Sequence, residues 1–156
     1  MSTYVMSQYL QPLVLGAICG GGASQTSWTG GATWYWGVST QTAVGATDAT
    51  LLSGEPTSGT GGYGRVTYTN NSTNFPTPSG SNPSTSKAHV AWNFTASSGA
   101  WSTGSSALTT VFLADGNTPG AGHVILYAPL SPATDTVNGS GVTLSFAADA
   151  VQFTAG

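Results

Sequence analysis

The sequence predicts an all-β fold, an antiparallel β-sandwich or jelly-roll-like domain with a short N-terminal helix or arm. Three observations predict it. Apolar residues alternate with period two in short runs rich in aromatic and β-branched side chains. Glycine, proline and asparagine punctuate those runs with turn chemistry. Helical spacing occurs only near the N-terminus.

Residues 1–22 form the arm. Ser2 or Thr3 can cap a helix, and Met6, Tyr9, Leu10 and Leu13 recur at spacings of three and four before Gly20-Gly21-Gly22 ends it. Pro12 keeps that helix short. Residues 23–156 form the β-domain. Its first strand is Thr33 to Thr40, where Trp34, Trp36 and Val38 share one face and Tyr35 the other. Tyr63–Thr69 comes next, then the run around Val90, Trp92 and Phe94, then Leu108–Ala114, Gly122–Ala128, Val142–Ala147 and a terminal Val151–Phe153. Asp115-Gly116-Asn117 with Pro119-Gly120, and Asn138-Gly139-Ser140-Gly141, supply residues that tolerate positive φ at hairpin ends. Residues 41–62 and 70–87 are long loops rich in Thr, Gly, Ser, Asn and Pro, a length that suits a functional segment or one that orders against a partner.

Charge is scarce. Lys, Arg, Asp and Glu make up 4% of the 156 residues, against roughly 25% in an average domain. Arg65 and Lys87 are the only permanent cations, which excludes the basic footprint of a nucleic-acid binder and a polybasic membrane surface. Aromatic residues at 10% separate the chain from disordered sequences. The 44 Ser and Thr and 22 Gly supply a neutral, hydrated surface, and a formal net charge of -3 gives little mutual repulsion, which suits a subunit fixed in an assembly. A signal peptide is not expected, because no Lys or Arg precedes Arg65. Gln11, Pro12 and the glycine triplet cut the apolar run 10–18 below the length of a membrane-spanning helix. The single Cys19 cannot form an internal bridge.

Catalysis by titratable groups has little to draw on, with seven carboxylate or imidazole side chains in all. A hydrolytic triad would need His89 or His123 with a serine and Asp115 or Asp135, and no Gly-x-Ser-x-Gly turn is present. His89 is expected to be solvated or at an interface, and His123 opens a strand. Asp115-Gly116-Asn117 has the spacing of a calcium loop but no later acidic ligand. Asp48, Glu55, Asp115, Asp135 and Asp149 are too scattered in sequence to nominate a glycosidase pair. Ligand count excludes zinc, and no cofactor is expected. Trp34, Tyr35, Trp36, Trp92 and Trp101 either fill a core or stack on sugars. Tyr35, on the opposite face from its neighbours, can anchor an interface. The sequons at Asn70, Asn71, Asn93 and Asn138 follow from composition alone.

In chain order, Leu15-Gly16, Trp34-Tyr35-Trp36-Gly37-Val38-Ser39-Thr40, Gly61-Gly62-Tyr63-Gly64-Arg65-Val66 and Asn70 to Pro76 carry a pattern. It continues through Trp92-Asn93-Phe94, Gly99-Ala100-Trp101-Ser102, Val111 to Asp115, Gly122 to Leu130 and Val137 to Phe146. So ordered, the chain resembles small virion structural proteins of tailed bacteriophages, the capsid decoration, head-fibre and tail-fibre-associated proteins. It departs from them in an arm without charge between Met1 and Gln11. The resemblance implies a non-enzymatic β-domain bound to the virion. With a neutral surface and one compact domain without fibrous repeat or coiled coil, the expectation is a decoration (cement) protein on the capsid surface that binds the major capsid protein, as a homotrimer, and stabilises the head. The alternative is a tail-fibre or tail-tip protein that binds host glycans. Met6, Tyr9, Leu10, Leu13, Tyr35, Arg65 and Phe75 are the expected interface residues, with the loops at 41–62 and 70–87 ordering on the lattice.

Overall fold

The computed structural model describes residues 5–6, 11, 33–43, 47–76, 84–101, 107–134 and 139–155. Among them the elements run β1 (Val5–Met6), β2 (Thr33–Ser39), α1 (Asp48–Ser53), a 3₁₀ turn (Thr60–Gly62), β3 (Val66–Thr69) and β4 (Ser84–Lys87). Then follow β5 (Trp92–Thr95), β6 (Leu108–Ala114), β7 (Val124–Thr134), β8 (Thr143–Phe146) and β9 (Gln152–Ala155). Every strand pairing is antiparallel, so the fold is all-β as expected. Each of the seven predicted strands is present, and β6 has the predicted bounds.

The main sheet has the order β1-β7-β6-β2-β3. β6 lies at its centre, and its run Leu-Thr-Thr-Val-Phe-Leu-Ala is buried on both faces. Val111 and Leu113 face one core cluster with Trp36, Val38 and Tyr68; Phe112 and Ala114 face a second with Leu51, Val124 and Tyr127. Gly37 is required on β2 because a Cβ there would collide with the Phe112 ring. The β6–β7 hairpin closes where the Asp115 N–H donates to the His123 carbonyl at 3.1 Å and the His123 N–H donates to Asp115 Oδ1 at 2.8 Å. Gly120 and Gly122 supply its positive φ angles, 78° and 84°.

Outside the main sheet the strands pair only in twos. β5 pairs with β8 and β4 with β9, as two separate two-stranded ribbons. Their registers nearly continue one another, Lys87↔Gln152 in one and Trp92↔Phe146 in the other, so four residues (88–91) face five (147–151). That extra residue breaks the ladder, and Asp149 absorbs the kink with φ 63°. The β5–β8 ribbon turns Trp92 and Phe94 to the main sheet and Asn93 and Thr95 to solvent. Trp36 stacks on Trp92 at 4.4 Å between centroids, and Trp92 on Phe146 at 4.8 Å.

Three expectations change. Val5–Met6 is a strand, not the start of a helix, because its backbone pairs with Tyr127 and Leu126 of β7. The 41–62 segment contains α1, which Thr47 caps by accepting the Thr50 N–H at 3.2 Å, and Leu51 of α1 is fully buried. The 70–87 segment contains β4 and an Asx turn, in which Asn71 Oδ1 accepts the N–H groups of Thr73 and Asn74. No helix among the described residues is long and apolar enough to cross a membrane.

Candidate functional site

The chain places one arginine and one glutamate where water does not reach. Glu55 follows α1, Arg65 precedes β3, and both side chains are fully buried. Their contact is bidentate: Arg65 Nε donates to Glu55 Oε1 at 2.8 Å and Nη2 to Oε2 at 2.7 Å. Tyr63 donates its hydroxyl to Glu55 Oε1 at 2.8 Å, and the Gly120 N–H donates to Oε2 at 2.7 Å. Both carboxylate oxygens therefore carry two donors each. Arg65 also donates from Nη1 to the Gly116 carbonyl and lies 5.4 Å over the Phe112 ring. The Tyr63 oxygen in turn accepts the Val38 N–H at 3.2 Å. Burial first, then the Glu55 charge, holds the Tyr63 phenol well above the ordinary tyrosine range. This cluster joins the segment after α1, the approach to β3 and the β6–β7 turn to the main sheet.

Above it lies an open cleft of about 650 Å³, walled by Leu52 and Ser53 of α1, by Pro56 and Thr57, and by the turn at Pro119 and Gly120. Among the described residues that line it Glu55 is the only titratable one, and its carboxylate is turned away into the cluster. The cleft offers hydroxyl, backbone and apolar surface.

The structure brings Asp48 of α1 to Asp115 and His123 of the β6–β7 turn, more than sixty positions away in sequence. Asp48 Oδ2 accepts the Val124 N–H at 3.3 Å and stands 3.9 Å from His123 Nδ1. Burial raises the Asp48 pKa against the lowering by the Val124 N–H and His123, and Asp115 adds to the rise. Asp115 is turned to the His123 N–H, and among the described residues no group of three or more His, Cys, Asp or Glu could hold a metal ion. His89 pairs instead with Asp149, Nδ1 to Oδ1 at 2.9 Å, at the exposed kink between the two ribbons. The two histidines thus belong to separate clusters. Asp135 lies outside the described residues.

The aromatic residues divide in favour of the core. Trp36, Trp92 and Trp101 are buried, and Trp34 is half-buried against it. Among the expected interface residues, Arg65 needs correction: it is an internal cation, because its guanidinium is satisfied by Glu55 and Gly116. Phe75 is half-buried against Trp34 and Tyr68, at 5.4 and 5.1 Å between centroids. Tyr35 is half-buried on β2, and Met6 lies in β1. Tyr9, Leu10 and Leu13 lie outside the described residues.

Sequence reasoning passed over Glu55 as a partner. The signal was available: in a chain with seven charged side chains, Glu55, Tyr63 and Arg65 fall within eleven positions, and an arginine among strands needs a counter-ion if it is buried. No family model matches the chain, and neither does any curated protein or solved structure.

Proposed function

We propose that this chain is a non-enzymatic structural subunit of a bacteriophage virion: a capsid decoration protein that binds the major capsid protein as a homotrimer and stabilises the head. The observation that carries the reading is where the charges go. The only arginine and the only glutamate are consumed inside the fold, four donors saturate the buried carboxylate beneath the cleft, and the composition of the rest is largely hydroxyl, amide and glycine. Such a surface docks by shape and neutral hydrogen bonds, desolvates few charges and is little affected by salt. The resemblance to small virion proteins, quoted above residue by residue, supplies the setting. Glycan binding on a tail would want solvent-facing tryptophans in a groove, and Trp36, Trp92 and Trp101 are in the core instead.

The test is to add purified protein to capsids that lack it, count bound copies and record the thermal disruption temperature. Saturable binding at many copies per head with a raised disruption temperature is expected. Absence of capsid binding, or a few copies confined to the tail, overturns the decoration reading.

A further inference from the structure

We propose that the cleft between α1 and the β6–β7 turn is the docking site, and that it receives an uncharged loop of the major capsid protein. This role rests on the decoration reading above. What singles the cleft out is how the few charges of the chain are placed around it. The sequence has two Lys and Arg and five Asp and Glu side chains, and four of these seven, Asp48, Glu55, Arg65 and Asp115, belong to the elements that wall the cleft or lie beneath it. Arg65 holds the turn by the Gly116 carbonyl, Glu55 by the Gly120 N–H and Asp48 by the Val124 N–H. Asp115 closes the same turn on the His123 N–H. On the other side α1 is fixed to the sheet by the fully buried Leu51. Both walls are held from beneath at a set separation, so the cleft is formed before anything enters it.

None of these charges is presented to an occupant. The Glu55 side chain is fully buried, and Asp48, Arg65 and Asp115 do not line the cleft. An ionic ligand would lose its water with no counter-charge to meet. Among the described residues no aromatic ring lines the cleft either, so a sugar has no face to stack on. The surface on offer is the apolar side chains of Leu52, Pro56 and Pro119 beside the hydroxyls of Thr57 and Ser58. That mixture matches uncharged main chain with small side chains. The cleft is also open, whereas a free small ligand is held where about 70–90% of its surface is covered. A loop carried by a large partner needs no such enclosure, because the surface around the cleft adds to the contact.

Ala121 on the turn and Ser58 beyond α1 are exposed, so each accepts a charge in the free protein. Ala121→Glu, Ala121→Lys and Ser58→Glu are added to capsids that lack the protein, beside the unsubstituted chain and Thr95→Glu, whose charge falls on the solvent-facing side of β5. Bound copies are counted over a range of concentrations, and the melting temperature of each free chain confirms its folding; a variant that melts early is set aside and the other two decide. Charge of either sign in the cleft is expected to weaken capsid binding by about tenfold or more, since it is left unpaired against a neutral loop, with Thr95→Glu binding like the unsubstituted chain. Folded cleft variants that bind like the unsubstituted chain overturn the docking site and leave the decoration reading standing, as does an equal loss with Thr95→Glu. An unsubstituted chain that does not bind capsids overturns both.

Discussion

Glu55→Gln is the substitution that tests the interior cluster most directly. It keeps the shape of the side chain and removes the charge, leaving a fully buried Arg65 guanidinium with a neutral partner. The variant also turns one oxygen into an NH₂ group that points a donor at whichever of Arg65, Tyr63 or the Gly120 N–H it meets. Breaking a buried pair from one side costs about 3–5 kcal/mol. A domain of this size loses about 2–4 °C of Tm per kcal/mol, which puts the expected drop on the order of 10 °C. The companion is Glu55→Leu with Arg65→Met, which removes both charges and their desolvation together. It should cost less than the sum of its single variants, since each single variant leaves an unpaired group. Calorimetry, with near-UV circular dichroism to confirm that the core aromatics remain packed, reads both. A Glu55→Gln loss below about 1 kcal/mol, the range of an exposed pair, would refute the claim that this pair is desolvated, as would a double variant no better than the sum of its singles.

Two further outcomes follow from the same burial. Trypsin can cut only at Arg65 and Lys87; the first is buried and the second lies in β4 paired to β9, so native protein should survive a digestion that cuts the denatured chain into three, and rapid cleavage at Arg65 would contradict its burial. Burial holds the Tyr63 and Tyr68 phenols above the ordinary value of 10.0, so their contribution to stability is whole below pH 10 and is lost as the pH rises through the raised native values. Tyrosinate absorbance should therefore show two of the six tyrosines ionising later than the rest, Tyr63 the last, and six phenols titrating together near pH 10 in a folded protein would contradict it.

The strands were readable because one-sided burial imposes a period of two, which β5 follows, and because β2 and β6, buried on both faces over Trp36–Ser39 and Thr110–Ala114, are rich in aromatic and β-branched residues. β4 was not readable, since Ser84-Thr85-Ser86-Lys87 has no apolar residue and is a strand only because β9 pairs with it. β1 was misread for a related reason: Met6 fits a helical stripe as well as a strand, and its partner lies about 120 positions away. Asp115-Gly116-Asn117 and Pro119-Gly120 gave the β6–β7 turn directly, because their φ requirements are local. The candidate site was half legible. Arg65 stood out by rarity, but rarity alone assigned it to a surface. Its burial depends on Glu55, Tyr63 and the turn at 116–120 converging, which no local pattern encodes.

The internal pair also bears on how a nearly uncharged chain reaches one structure. Neutral Ser, Thr and Gly surfaces discriminate weakly among alternative packings, since almost any arrangement hydrates them equally well. The Glu55 carboxylate needs four donors from three chain positions to be buried without penalty. A packing that misplaces Tyr63, Arg65 or Gly120 leaves a buried charge unsatisfied, at several kcal/mol. The cluster thus ties the register of the segments around α1, β3 and the β6–β7 turn to one another. With that task done in the interior, the outer surface needs little charge of its own. Among the described residues, the Lys87 ammonium and the carboxylates of Asp48, Asp115 and Asp149 are what remains. Association through such a surface depends on fit and on hydrogen bonds from hydroxyl and amide groups, which is the kind of contact an assembly subunit at high local copy number requires.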